Sequence, residues 1–152
     1  MSLFPEFSAE PSGRAVLLSI KPRYADLILA GTKQVELRRS WPSNDIGVMV
    51  LYSSAPIQKL VGVAYVDRVE EADIPALWAL AKKHGGGVSK AELVEYFAGK
   101  QFAYGVMIRS VRAASRSVDP KDLFPNFVPP QSFQYLAPEE FRRVSDAIFL
   151  EG

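Results

Sequence analysis

The strongest structural signals of the chain lie in residues 16–42, VLLSIKPRYADLILAGTKQVELRRSWP. Residues 16–21 alternate between two faces in a pattern that predicts a half-buried strand. Pro22 suits the first turn of a helix, where its missing N–H costs nothing, and a glycine stop follows the apolar positions. We therefore expect a helix over 23–30, and then a second alternating strand over 33–39.

Outside this stretch, periodicity predicts further strands and helices in an irregular order. The further predicted strands are 48–52, 60–69 and 102–112, and the further predicted helices are 74–83, 90–97 and 138–144. Gly62 is expected to be a bulge or a point of close approach, and Ser89 and Glu92 are expected to form a capping box before the helix at 90–97. Strands do not alternate regularly with helices, which argues against a doubly wound sheet. The sequence predicts an α+β fold: a small, partly open, mixed β-barrel of about five to six strands with capping helices. We expect an N-terminal arm at 1–13 and one domain at 14–150.

The composition excludes several classes of site. The 152 residues include no cysteine and one histidine, His84, so disulfide scaffolds and thiolate metal sites are excluded. We expect neither a metal nor another cofactor. No window approaches the roughly 18 apolar residues that a membrane span needs, and no signal peptide is evident, so we expect a cytoplasmic protein with no membrane partner.

The charge is segregated although the net charge is only +1. Residues 14–39 hold six cations and two acids, and residues 100–116 hold four cations and no acid. Residues 67–73 hold four acids and one arginine. Such a protein can present a positive field on one face and attract nucleic acid. The alternative is that these charges are scattered over a solvated surface.

The strongest candidate for chemistry is a group of charged residues at the ends of the first two strands. The strand–helix–strand arrangement brings Lys21 near Lys33 and Glu36, with Arg38 beyond them. Such a group can bind an anion, or it can perform acid–base catalysis with Lys21, Lys33 and Glu36 as the catalytic residues. The alternative is an exposed Glu36–Arg38 ion pair of little energetic value beside solvated lysines.

These residues also carry a family resemblance. Ser-x-Lys-Pro at 19–22, a helix, Gly-x-Lys at 31–33 and then x-x-Glu-x-Arg ending at Arg38 resemble the opening motif of ASCH domains. The likeness continues in five later segments: 52–56, 60–62, 95–100, 103–106 and 129–133. The resemblance covers about residues 15–136 and implies a PUA-like fold.

The resemblance also implies RNA or nucleotide binding, with a regulatory role in translation or transcription. An alternative is a small hydrolase acting on a modified nucleoside, like the ASCH amidohydrolases of N4-acetylcytidine, or a ribonuclease. Lys33 matches the amidohydrolase lysine, but Glu36 stands where a threonine would supply a hydroxyl nucleophile. Asp67 and Glu70 are the candidates for the later glutamate of that family.

We predict that the ligand is single-stranded RNA, a nucleotide or a nucleoside. The predicted ligand-binding residues are Ser19, Lys21, Lys33, Glu36, Arg38, Arg39, Tyr52, Ser53, Gln131, Ser132 and Phe133. The cations would neutralise phosphate, Glu36 and Gln131 would hydrogen-bond a base, and Tyr52 or Phe133 would stack on it. A third alternative is a regulatory module that acts only beside a protein partner. The run His84-Gly-Gly-Gly is predicted to be a flexible loop that ends a helix.

Overall fold

The computed structural model describes residues 13–42 and 45–149. Of the predicted arm, only Gly13 falls within them, and residue 150 lies outside them. The strands are β1 (Arg14–Ile20), β2 (Val35–Arg38), β3 (Ile46–Ser53), β4 (Lys59–Asp73), β5 (Phe102–Val118) and β6 (Phe133–Leu136). The helices are α1 (Pro22–Leu29), α2 (Ile74–Lys83), α3 (Lys90–Tyr96) and α4 (Pro138–Ile148), with a 3₁₀ turn at Pro120–Asp122.

The strands form one mixed sheet in the order β2-β5-β4-β3-β1-β6. β1 and β3 are parallel, and the other neighbours are antiparallel. The predicted α+β, PUA-like class is confirmed, and the sheet is open rather than closed into a barrel, because β2 and β6 are its two outer strands. Pro129 and Pro130 are separated from the start of β6 by Gln131 and Ser132 and have no N–H to offer a neighbouring strand.

Helices cover both faces of the centre of the sheet. Val16, Leu18 and Ile20 pack on the side of α1. Leu17 packs on the opposite side, in the cluster that includes Phe141 of α4. The prediction that β1 is half-buried was therefore wrong, because α4 covers the face that was expected to meet solvent. A third apolar cluster lies where α2 and α3 pack against β2 and β5.

Several predicted boundaries differ from the structure for identifiable reasons. β2 begins at Val35 rather than at residue 33, because the N–H groups of Lys33 and Gln34 bond to the carbonyls of Leu27 and His84 instead of joining a ladder. β4 and β5 both extend further than predicted, as a paired ribbon. β6 was missed altogether.

Two local predictions are confirmed. Gly62 is a point of close approach, since a Cβ there would lie 2.7 Å from the carbonyl oxygen of Arg112. Ser89 and Glu92 form the predicted capping box at the start of α3, with bonds of 3.1 and 2.9 Å. In the described part of the chain, no helix is both long enough and apolar enough to cross a bilayer.

Candidate functional site

A cavity of about 820 Å³ lies between the end of β1, β2, α3 and the loops around residues 54–58 and 129–131. We call this cavity the cleft. It brings together seven of the predicted site residues: Ser19, Lys21, Lys33, Glu36, Arg38, Tyr52 and Gln131. Further polar and aromatic groups in its wall were not among the predicted ligand-binding residues: Tyr24, Ser54, Gln58, Glu92, Glu95 and Tyr96.

Four predicted ligand-binding residues do not line the cleft. Arg39 donates to the carbonyl oxygens of Tyr96 and Ala98, at 2.6 and 3.2 Å. Ser53 is buried, and Phe133 is partly buried, edge-on to the ring of Tyr135 at 6.1 Å. The fourth, Ser132, accepts a hydrogen bond from Arg38 through its hydroxyl oxygen at 2.6 Å.

A buried chain of charged groups forms the back of the cleft. Lys33 Nζ lies 3.6 Å from Glu36 Oε1, and Glu36 Oε2 lies 3.1 Å from Arg38 Nη1. The Lys33, Glu36 and Arg38 side chains are 2%, 6% and 11% exposed. The alternative of an exposed Glu36–Arg38 pair beside solvated lysines is therefore wrong for this part of the group. Charges removed from water to this extent interact more strongly than surface charges do.

The loop after α2 holds Lys33 in place. Lys33 Nζ donates to the carbonyl oxygen of Gly86 and lies 5.1 Å from the centre of the Tyr24 ring. Burial lowers the pKa of Lys33, and the neighbouring Glu36 opposes that shift. The glycine run predicted to be a flexible helix-ending loop is thus part of the site. The run of glycines was visible in the sequence, but the contact of Gly86 with Lys33 was not.

The segment before β6 is tied to the cleft by two polar side chains. Arg38 Nη2 donates to Ser132 Oγ at 2.6 Å and to the Ser132 carbonyl oxygen at 3.3 Å. Ser19 Oγ donates to the Pro130 carbonyl oxygen at 2.7 Å. These bonds connect the first strand–helix–strand unit with a loop about a hundred residues later, and they fix one wall of the cleft.

The aromatic residues of the cleft differ in what they offer a ligand. Tyr52 is 3% exposed and its ring packs 5.5 Å from that of Phe127, so little of the ring is open for stacking. Burial, assisted by Asp119, raises the pKa of Tyr52, so its hydroxyl keeps its proton at neutral pH. Tyr96 is 43% exposed and has more surface available to a nucleobase.

Glu92 lies at the rim of the cleft in the first turn of α3. The N–H of Ser89 and the guanidinium of Arg23, 2.9 Å away, lower the pKa of Glu92 to about 2. Glu92 is therefore an anion across the physiological pH range. Among the residues that the structure describes, no cluster of three or more His, Cys, Asp or Glu side chains is arranged to hold a metal ion.

Comparison with known proteins identifies the family. The ASCH domain family model matches residues 18–115. An ASCH domain-containing ribonuclease of Zymomonas mobilis is 27% identical over 137 residues, which cover 88% of this chain and 92% of that protein. The ribosomal protein uL22 of Ureaplasma parvum is 27% identical over 130 residues, 84% of this chain but only 40% of that protein.

A solved structure supports the same assignment. The crystal structure of ASCH from Zymomonas mobilis superposes with a TM-score of 0.81 at 26% identity and covers 88% of this chain and 94% of that one. The family segment includes Ser19, Lys33, Glu36 and Arg38, whereas the 129–131 wall of the cleft lies beyond it. The chain therefore belongs to the ASCH domain family.

Proposed function

We propose that the protein is a ribonuclease that binds single-stranded RNA in the cleft and cleaves it there. The observation that carries this proposal is the buried chain Lys33–Glu36–Arg38 in the wall of a cavity that Lys21 also lines. A cavity with cations, a carboxylate and hydroxyl groups on one wall provides the groups that phosphodiester cleavage requires. The similarity to a Zymomonas protein named as a ribonuclease favours this chemistry over others.

The binding step uses the cations and the exposed ring. Lys21 is exposed and Arg38 is partly buried, and both are placed to meet a phosphate in the cleft. The Arg38 guanidinium has five N–H donors, so it can donate to a phosphate oxygen in addition to Glu36 and Ser132. A base of the same nucleotide would stack on Tyr96, and Gln131 would hydrogen-bond its edge.

The cleavage step that fits these groups is attack by the ribose 2′-oxygen on the adjacent phosphorus. The 2′-hydroxyl proton passes to the Glu36 carboxylate, and the bond from phosphorus to the 5′-oxygen breaks. Tyr52, which keeps its proton at neutral pH, supplies a proton to the leaving 5′-oxygen. Lys33 and Arg38 hold Glu36 in position, and Arg38 with Lys21 stabilises the extra negative charge on the phosphoryl oxygens. The products are a 2′,3′-cyclic phosphate and a 5′-hydroxyl end.

The test is cleavage of an end-labelled, unstructured RNA by the wild type and by Glu36→Gln, with an RNA duplex and single-stranded DNA as comparison substrates. We expect cleavage of the single-stranded RNA alone, with cyclic-phosphate ends, and a loss of about 100-fold in rate for Glu36→Gln, as is common when a general base is removed. DNA lacks the 2′-hydroxyl, so its cleavage would contradict the mechanism. Absence of RNA cleavage under all conditions would overturn the proposed activity.

Two outcomes would favour the alternative functions. Salt-sensitive RNA binding without cleavage would leave an RNA-binding module, since phosphate contacts weaken as salt rises. Release of acetate from N4-acetylcytidine would indicate an amidohydrolase, in which Glu36 would act on water because no threonine occupies that position.

A further inference from the structure

The antiparallel ribbon of β4 and β5 is divided sharply by charge. The half made of residues 59–66 and 108–118 contains Lys59 and three arginines and no acidic residue. The other half, residues 67–73 and 102–107, contains four acids and one arginine. A one-sided charge distribution of this kind creates a local positive field that a neutral net charge conceals.

The three arginines Arg109, Arg112 and Arg116 lie along the face of the sheet that α4 covers. The guanidinium of Arg112 lies 4.0 Å from the centre of the Phe149 ring, and that of Arg109 lies 5.8 Å from the Tyr65 ring. Arg116 Nε donates to the carbonyl oxygen of Ala147 at 3.3 Å. The rings and Ala147 all belong to the apolar cluster beneath α4, so the three cations follow one border of that cluster.

These contacts restrain each arginine while leaving it exposed. All three residues are exposed, and a guanidinium carries five N–H donors, so the ring contact of Arg109 and the single carbonyl bond of Arg116 leave donors for a further ligand. Restraint before binding reduces the side-chain entropy that a contact would otherwise cost. An arginine that is both restrained and exposed is well suited to binding phosphate.

One end of the arginine row lies near a cleft residue through the pairing of β4 with β5. Gln58 lines the cleft, Lys59 follows it, and the next residue, Leu60, pairs with Val118 at the end of β5. From there the ribbon runs to Val66, opposite Ile108, over roughly 20 Å at about 3.3 Å per residue. A chain of phosphates that leaves the cleft past Lys59 would meet Arg116, Arg112 and Arg109 in turn.

We propose that this arginine row is a second RNA-contact surface, which binds the phosphates of the substrate strand outside the cleft. The identity of the ligand rests on the proposed function. The row gives affinity for long single strands without sequence preference, because it contacts only the backbone. The cleft alone carries out cleavage.

The test compares the wild type with the triple variant Arg109→Gln/Arg112→Gln/Arg116→Gln in binding to a long unstructured RNA and to a trinucleotide. The control variant Lys82→Gln/Lys83→Gln/Lys121→Gln loses the same charge elsewhere on the surface. We expect the triple variant to lose at least ten-fold in affinity for the long RNA and to bind and cleave the trinucleotide as the wild type does. Its slope of log Kd against log salt should fall by about 2, since each phosphate contact on a single strand contributes about 0.7.

Several outcomes would overturn the inference. One such outcome is a triple variant that keeps the wild-type salt slope for long RNA while Arg38→Lys weakens the binding of both RNAs. This outcome would contradict the role proposed for the arginine row and leave the proposed function intact. A wild type that binds neither probe would overturn both proposals together. Thermal unfolding checks that the triple variant folds. If it does not fold, the single variants Arg109→Gln and Arg116→Gln replace it, and each is expected to lower the salt slope by about 0.7.

Discussion

Lys33 and Glu36 form a buried ion pair, with 3.6 Å between Nζ and Oε1 and side chains that are 2% and 6% exposed. Removing two charges from water costs several kcal/mol, and the cost is offset only where further hydrogen bonds complete the geometry. The Gly86 carbonyl and the Arg38 guanidinium supply those contacts. A costly buried pair in the wall of a cleft is typical of groups that serve function.

Removing the carboxylate should destabilise the protein strongly. Glu36→Gln leaves Lys33 and Arg38 without their counter-charge, and we expect the free energy of unfolding to fall by about 3 kcal/mol. Urea unfolding measures this loss. The double variant Lys33→Met/Glu36→Gln removes the buried cation too and should recover most of the stability. An unchanged stability in Glu36→Gln alone would show that the pair is not desolvated.

The stability of the fold should depend on pH through Lys33. Burial lowers the pKa of Lys33 below its usual 10.5 in the folded protein, whereas the unfolded chain keeps the usual value. Between the two values the unfolded state binds more protons, so the free energy of unfolding rises with pH until about 10.5. The difference in unfolding free energy between the wild type and Lys33→Met should therefore shift in favour of the wild type as the pH rises towards 10.5. A difference that stays flat would contradict the lowered pKa.

The loop that holds Lys33 should tolerate no side chain at Gly85. Gly85 has φ +64°, and a Cβ there would collide with the Thr32 carbonyl oxygen, next to Lys33. Gly99 is the matched control, because its φ is +84° but a Cβ would meet open space. We expect Gly85→Ala to cost about 1–3 kcal/mol more than Gly99→Ala in urea unfolding, the range for steric overpacking. Equal losses would indicate that only the backbone angle matters.

Arg38 and its neighbour Arg39 should differ in their effect on RNA. Arg38 lines the cleft, whereas Arg39 is bound to carbonyl oxygens of the α3 end and does not. Arg38→Lys loses the fork that joins Glu36 and Ser132, and we expect about ten-fold weaker RNA binding, the equivalent of one charged hydrogen bond. Arg39→Lys should bind RNA as the wild type does. Fluorescence anisotropy measures both, and equal effects would argue against the cleft as the binding site.

Glu92 should titrate far below an ordinary glutamate. Its pKa of about 2, against a usual 4.5, is set first by the Ser89 N–H and then by Arg23. A carboxylate with a depressed folded pKa stabilises the fold above the unfolded value, and that stabilisation is lost as pH falls from 4.5 towards 2. NMR titration should find this value, with Arg23→Gln raising it part of the way to 4.5. No change on Arg23→Gln would contradict the contribution of the ion pair.

The beginning of the fold could be predicted because its signals are local. The alternation of β1, the proline that starts α1 and the capping box of α3 each depend on residues within a few positions of one another. Local spacing also placed Lys33 and Glu36 together. It could not indicate that they are buried, because the carbonyl that holds Lys33 belongs to Gly86, 53 positions away.

The parts that were missed depend on distant partners. β6 has only four residues, and its pairing with Ala15–Leu18 of β1 is decided by tertiary contacts that no periodicity shows. Ser132 was predicted to touch ligand, but in the structure it binds Arg38, 94 positions away. The far ends of β4 and β5 lack a regular apolar alternation, since their side chains are largely solvent-exposed on the ribbon.

The wall of the cleft combines two portions of the polypeptide that are far apart in the chain. Lys33, Glu36 and Arg38 fall inside the segment that matches the family model, and residues 129–131 fall outside it. Substitutions in that later portion would alter which molecules gain entry while the charged triad stays as it is. This C-terminal portion is therefore the first place to exchange when the ligand preference of the protein is to be changed.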